Sequence, residues 1–134
     1  MKNIVYEKSL DFAVDILKFA KDLRKQNEYE IASQILRSGT SIGANIAEAK
    51  YAQSDKDFIS KMSIARKEAS ETLYWLTLLA KAEILPKENL RHLGEQANQL
   101  LKILTSIIKT MIDKEHDKEH DKMHNADETQ GFNS

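Results

Sequence analysis

The sequence predicts an all-α protein, an antiparallel up-down-up-down four-helix bundle with a disordered or fraying C-terminal tail. Only four Gly and one Pro occur in 134 residues, whereas ordinary usage would supply about two to three times as many. A sheet protein needs a turn about every 8–12 residues, and this chain lacks the residues for them. Apolar residues, 41% of the chain, recur at the three- and four-residue spacing of amphipathic helices. Short connections make successive helices antiparallel neighbours.

The first predicted helix runs from about Ser9 to Gln26. We interpret Ser9 as its N-cap, with Asp11 in the first turn, where the helix dipole favours an acid. The apolar positions follow helical spacing and are assigned to the core: Phe12, Ala13, Ile16, Phe19, Ala20 and Leu23.

The second predicted helix runs from about Glu28 to Ala52 and contains two glycines four residues apart, Gly39 and Gly43. Each glycine costs up to about 1 kcal/mol in a helix interior. We therefore expect either that a neighbouring helix approaches closely at these positions or that the helix is kinked there.

The third predicted helix begins after Ser54, whose Ser-Asp-Lys-Asp sequence resembles a capping box, and continues to about Ala82. Ile64, Trp75 and Leu78 form an apolar patch on a face that the bundle core does not need. Such a surplus face predicts an oligomer interface. The fourth predicted helix runs from Pro86, a residue suited to the first helical position, to about Ile112.

The predicted bundle and the predicted tail differ in net charge. Residues 113–134 hold three Lys and seven acidic residues, a net charge of −4, so residues 1–112 carry +3 and the chain −1. The tail, a charged, His-containing low-complexity segment, is interpreted as a solvated extension of the fourth helix that frays. Its His116, His120 and His124 are spaced four apart, but biased His tracts are usually only compositional, so no metal site is predicted.

The residue content favours a protein without catalytic activity or a cofactor. A di-metal bundle enzyme needs Glu-x-x-His pairs on two helices, and the only bundle histidine, His92, follows Glu88 by four residues. No Cys is present, and no Walker-type phosphate loop follows a strand. No apolar run approaches a membrane span, and the first residues lack the apolar core of a signal peptide. We therefore expect a cytoplasmic protein that does not contact membranes.

Two sets of basic residues are candidates for nucleic-acid binding: Lys18, Lys21 and Lys25 in the first helix, and Arg91, Lys102 and Lys109 in the fourth. Nearby acids such as Asp15 and Glu95 dilute both sets. From the pattern of charged residues in the sequence alone, the alternative of a solvated charged face is favoured over a phosphate-binding strip.

A third group of polar residues follows the apolar stripe of the second helix and recurs in the third: Asn45, Glu48 and Glu71. Buried polar groups must be satisfied by hydrogen bonds. We expect these side chains to lock helices, or subunits, together rather than to catalyse a reaction.

Residues 38–49, Ser-Gly-Thr-Ser-Ile-Gly-Ala-Asn-Ile-Ala-Glu-Ala, resemble the hallmark of a bacterial four-helix bundle family named for proteins encoded in intervening sequences of 23S rRNA genes. Residues 57–76 and 101–108 are similar to it as well, and the resemblance covers roughly residues 5–112. It implies a ring-like homopentamer. The same resemblance extends to the accessory proteins of diversity-generating retroelements, which are similar in fold. Those proteins bind RNA and a reverse transcriptase through a basic surface.

These observations predict a homo-oligomeric assembly platform or accessory factor for an RNA or a ribonucleoprotein. The alternative is a structural or protein-binding oligomer without nucleic-acid contact. A metal-dependent activity of the tail is a third, more distant hypothesis.

Overall fold

The computed structural model describes residues 3–132 of the chain, and side chains through Ala126. It contains four helices: α1 (Ile4–Lys25), α2 (Tyr29–Ala49), α3 (Asp55–Lys81) and α4 (Lys87–Phe132). No strand occurs within residues 3–132. The prediction of an all-α four-helix protein is confirmed.

The helices pack in cyclic order, because α1 contacts α2 and α4, while α3 contacts α2 and α4. Residues in contact run in opposite order along neighbouring helices. Ser9 and Ile16 of α1 face Gly43 and Gly39 of α2, respectively. Glu48 and Arg37 of α2 likewise meet Lys61 and then Glu68 of α3. This order is consistent with the predicted up-down-up-down arrangement.

The core is one apolar cluster to which all four helices contribute. Most core positions predicted by helical spacing are buried, including Ile16, Ile42 and Leu104, each without exposed surface, whereas Ala13 and Phe19 of α1 are only partly buried. Burying an aliphatic side chain of this size contributes about 1.5–3 kcal/mol. The four amphipathic stripes therefore drive the helices together, and the opposite faces remain available for other contacts.

The start of α1 differs from the prediction, and the assignment of Ser9 as an N-cap is wrong. Asn3 caps the helix instead, because its Oδ1 accepts the backbone N–H of Tyr6 at 3.2 Å. Ser9 is wholly buried in the helix interior, where its hydroxyl donates to the Tyr6 carbonyl at 2.7 Å. Val5 extends the buried stripe upstream of Ser9, which is why the N-cap lies six residues earlier than predicted.

The other capping predictions hold more closely. The Ser54 hydroxyl accepts the N–H of Asp57 at 3.0 Å, and the Asp57 carboxylate accepts the N–H of Gln53 at 3.2 Å. The Ser54 bond is that of a capping box, whereas Asp57 accepts from the residue before the N-cap and not from Ser54 itself. Helix α2 ends at Ala49, three residues before the predicted end, and α4 begins at Lys87, directly after Pro86.

The fourth helix extends much further than predicted, and its expected end near Ile112 is wrong. Residues 113–132 continue it, so the interpretation of the tail as an extension of α4 is right. Glu115 and Glu119 each precede a Lys by three residues, a spacing that stabilises helices. Lys118 also pairs with Asp55 of α3, with Nζ and Oδ2 2.5 Å apart. The fraying predicted for the end of the tail concerns residues that lie outside the described part.

Candidate interaction surfaces

The glycines of α2 lie at its contact with α1. A Cβ built on Gly39 would lie 2.8 Å from Cγ2 of the fully buried Ile16, closer than side chains approach one another. At Gly43 it would lie 3.1 Å from the Ser9 hydroxyl oxygen. Helix α2 is continuous through both positions, and neither glycine has a positive φ. The geometry is therefore that of close helix approach without a break in α2.

Ionic contacts join α2 to α3. The guanidinium of Arg37 contacts Glu68 at 3.1 Å and also Glu71, while Glu48 pairs with Lys61 at 3.1 Å. The hydrogen bond from Arg37 holds the pKa of Glu71 below its ordinary value, and the same contact raises the pKa of Arg37. Both glutamates of the predicted polar group thus bridge two helices of one chain, through basic partners that the sequence analysis did not assign.

The remaining polar residues of this contact differ in their roles. Asn45 donates its amide to the Ser41 carbonyl at 2.8 Å, one turn back in its own helix, and among the described residues it bridges no two helices. Ser38 and Thr72, both fully buried, form a hydroxyl pair 2.9 Å apart between α2 and α3. The sequence analysis missed this pair, although both residues fall on core stripes.

The predicted apolar patch of α3 separates into two parts. Trp75 is partly buried against the core, and its Nε1 donates to Glu71 at 3.4 Å. Together with Leu78 it lines a groove against Ile31 and Gln34 of α2. Ile64 lies about three turns away along α3 and is about two-fifths exposed, as Leu78 is. We call Ile64, Trp75 and Leu78 the α3 apolar row.

A second exposed apolar row lies on α1 and was not predicted. Tyr6, Leu10, Val14 and Leu17 recur at four- and three-residue spacing, and each is between 36% and 50% exposed. We call these four residues the α1 apolar row. Tyr6 and Leu10 line a groove beside α2. Tyr51, which follows α2 in the chain, lines the same groove. The spacing of these four residues is visible in the sequence, but the prediction for α1 considered only the residues of its core stripe.

The predicted basic residues are all exposed, on two helices that pack side by side: Lys18, Lys21 and Lys25 on α1, and Arg91, Lys102 and Lys109 on α4. Acidic side chains interrupt this surface. Asp15 accepts a hydrogen bond from Gln96 at 3.1 Å and lies 3.8 Å from His92, and Glu95 is exposed between Arg91 and Lys102 in sequence. The two basic sets therefore do not form a continuous strip.

The described residues also bear on metal and membrane binding. No three or more His, Cys, Asp or Glu side chains there are grouped so as to hold a metal ion. None of the helices in that part of the chain combines the length and apolar character needed to span a bilayer. What the described chain presents is a set of exposed apolar, ionic and basic surfaces.

The fold and these surfaces define the class as a helical-bundle protein with exposed apolar and charged faces. Residues 1–106 match the family described as 23S rRNA-intervening sequence protein, and the chain belongs to that family. It is also similar to a crystal structure of a protein of unknown function from the S23 ribosomal protein family of Bacteroides thetaiotaomicron. The two are 51% identical, with 78% of this chain and 98% of that chain covered and a TM-score of 0.76. No curated protein matches this chain.

Proposed function

We propose that this chain is a non-enzymatic, self-associating platform, a ring of five copies that acts as an accessory factor for an RNA or a ribonucleoprotein. The observation that carries self-association is the pair of exposed apolar rows. The bundle core is complete without Tyr6, Leu10, Val14 and Leu17 of α1, and without Ile64 and Leu78 of α3, since these side chains face outward.

The position of the two rows favours a ring. They lie on α1 and α3, which are diagonal to each other in the cyclic order because each contacts α2 and α4, so one chain carries two different apolar surfaces. Two different surfaces join copies head to tail, and a head-to-tail contact closes into a ring when its rotation permits. The number five comes from the family resemblance.

Light scattering coupled to gel filtration tests this assembly. The expected mass is about five times the 15.3 kDa of the chain. The double variant Leu10→Glu/Leu17→Glu should dissociate the ring, because two charges would be buried at the contact. Thr110→Glu, an exposed position on α4, is the matched control and should leave the mass unchanged. A monomeric natural protein at micromolar concentration contradicts the proposal.

The RNA contact is supported by the family resemblance and by the net charge of +3 on residues 1–112. The acids among the predicted basic residues of α1 and α4 favour a second candidate, an oligomer that binds only protein. Titration with RNA at several salt concentrations separates the two. Phosphate contacts make log K fall linearly with log salt, whereas a protein-only platform binds no RNA below about 100 μM, the weak end of non-specific affinity.

A further inference from the structure

We infer that the outward face of α3 is the surface that binds single-stranded nucleic acid. This inference rests on the proposed RNA contact and locates that contact on α3, whereas the sequence predicted it on the first and fourth helices. The α3 outer face carries seven polar or aromatic residues, and the partly buried Ile59 lies at its edge. The seven are Lys56, Ser63, Lys67, Ser70, Tyr74, Thr77 and Lys81.

Helical spacing places these residues on one face. Counted from Lys56, they follow at 7, 11, 14, 18, 21 and 25 residues. At about 100° per residue they fall within a face about 80° wide. All are exposed except Ser63, which is partly buried, and Arg66, also partly buried, borders the face. From Lys56 to Lys81 the face is about 37 Å long at the helical rise, room for several nucleotides.

No acidic residue of α3 lies on this face. Each acid of α3 instead contacts a neighbouring helix or the start of α3. Asp55 pairs with Lys118 of α4, and Asp57 accepts the Gln53 N–H at the helix start. Glu68 and Glu71 contact Arg37 of α2. The interhelical contacts therefore separate the charges of α3, with acids toward its neighbours and bases toward solvent.

The bases of the α3 outer face are available for a ligand. Within the described residues, Lys56, Lys67 and Lys81 form no ion pair, in contrast to Lys61 on the same helix, which pairs with Glu48. In the same part of the chain the hydroxyls of Ser63 and Ser70 make no hydrogen bond. Lysine and serine side chains are common ligands of phosphate oxygens.

An exposed aromatic ring distinguishes this surface from a merely basic one. Tyr74 is 60% exposed and lies midway between Lys67 and Lys81, seven residues from each. Its ring is braced edge-on by Trp75, with centroids 5.1 Å apart and planes at 71°. Aromatic rings among cations are the stacking platforms of single-strand binding proteins. A paired base is stacked on its neighbours, and an acidic peptide offers no base, so the ring favours unpaired nucleic acid.

The experiment titrates the full-length protein with a fluorescently labelled 20-nucleotide RNA, the same DNA single strand, the RNA duplex and polyglutamate. Lys67→Glu/Lys81→Glu should weaken single-strand binding about tenfold or more. It should also reduce the slope of log K against log salt by about 0.7 for each lost contact. Lys18→Glu/Lys25→Glu on α1 is the matched control with the same change in net charge, and should weaken binding much less.

Tyr74→Leu tests stacking separately from charge. It should weaken binding of single strands by roughly 5- to 150-fold, the range expected for a lost stacked base, and leave the duplex affinity unchanged. Binding to the natural protein should also change the fluorescence of Trp75, the only tryptophan of the chain. Circular dichroism of each variant checks that the helices are retained.

The possible results distinguish an error in the assigned surface from an error in the proposed RNA contact. If the α1 control loses as much affinity as the α3 variant, the assignment to α3 is wrong while the RNA contact stands. If polyglutamate displaces RNA and Tyr74→Leu binds single strands normally, the face is an acidic-protein surface and the inference fails. If the natural protein binds no nucleic acid below about 100 μM, the inference and the proposed RNA contact fail together. Equal affinity for RNA and DNA single strands supports the assignment, since both have phosphates and stackable bases.

Discussion

The hydroxyl groups of Ser38 and Thr72 lie 2.9 Å apart in the contact between α2 and α3, and neither residue has any exposed surface. The Thr72 hydroxyl also lies 2.8 Å from the Glu68 carbonyl of its own helix. The Ser38 hydroxyl likewise lies 3.5 Å from the Ile35 carbonyl of its own helix. The contact between the two hydroxyls is therefore the polar link across an otherwise apolar part of the core, and a lateral shift of the helices would break it.

Replacement of Thr72 with Val tests that pair, because Val keeps the shape and removes the hydroxyl. We expect the free energy of unfolding to fall by about 1–2 kcal/mol, since Ser38 loses its partner across the contact. Adding Ser38→Ala should cost less than it does in the natural protein, because no unpaired hydroxyl remains. Urea denaturation of the four proteins of this cycle measures the coupling, and strictly additive effects would contradict it.

The substitution Gly39→Ala should destabilise the fold although it raises helix propensity. The new methyl group would meet the buried Ile16 side chain at 2.8 Å, and overpacking of this kind costs typically about 1–3 kcal/mol. Gly94→Ala is the control, because nothing lies within 4 Å of the position of its Cβ, and it should stabilise α4 by up to about 1 kcal/mol. The two melting temperatures should move in opposite directions. A shift of both to higher temperature would show that α1 and α2 are not in close contact at Gly39.

The ion pair between Arg37 and Glu71 should make stability depend on pH in one direction. Because Arg37 lowers the pKa of Glu71 in the folded chain, the pair stabilises the fold above the ordinary glutamate pKa of about 4.3. That contribution is lost as the pH falls through the lowered value.

Arg37→Met should therefore reduce stability at pH 7, by no more than about 1 kcal/mol because the arginine is half exposed. The difference from the natural protein should shrink below about pH 4. Lys67→Met, on a side chain without an ion pair in the described structure, is the control and should show no such trend. An Arg37→Met difference that is the same at pH 7 and pH 3.5, by urea denaturation at each, would exclude this role for the pair.

Removal of residues 113–134 should tighten RNA binding. The deletion changes the net charge from −1 to +3, so repulsion of phosphate by the acidic extension is lost, most visibly at low salt. A matched full-length variant that replaces the acidic residues at 113, 117 and 121 with Asn separates charge from length. Titration with the same labelled RNA measures the affinities, and unchanged binding by both proteins would show that the extension does not influence the ligand.

The sequence predicted the local features of the fold well, since these depend on residues close together in the chain. The spacing predicts Ser54 as a cap because its partner is three residues away. It predicts either a close contact or a kink at Gly39 and Gly43 because the two glycines share a face. Ser9 was misassigned because a serine before an apolar stripe fits a cap as well as a buried position, and only packing against α2 distinguishes the two.

The sequence by itself determined the all-α class, the four helices, the core stripes and the family, because helical periodicity and motif spacing are properties of one segment at a time. Only the tertiary structure decided which outward faces matter. Arg37 is 31 and 34 residues from Glu68 and Glu71, and no local pattern reveals that it contacts both. That contact, together with the pairing of Asp55 with Lys118, leaves the outer face of α3 basic. Charge pairing across helices depends on which faces pack together, and packing is a property of the whole bundle.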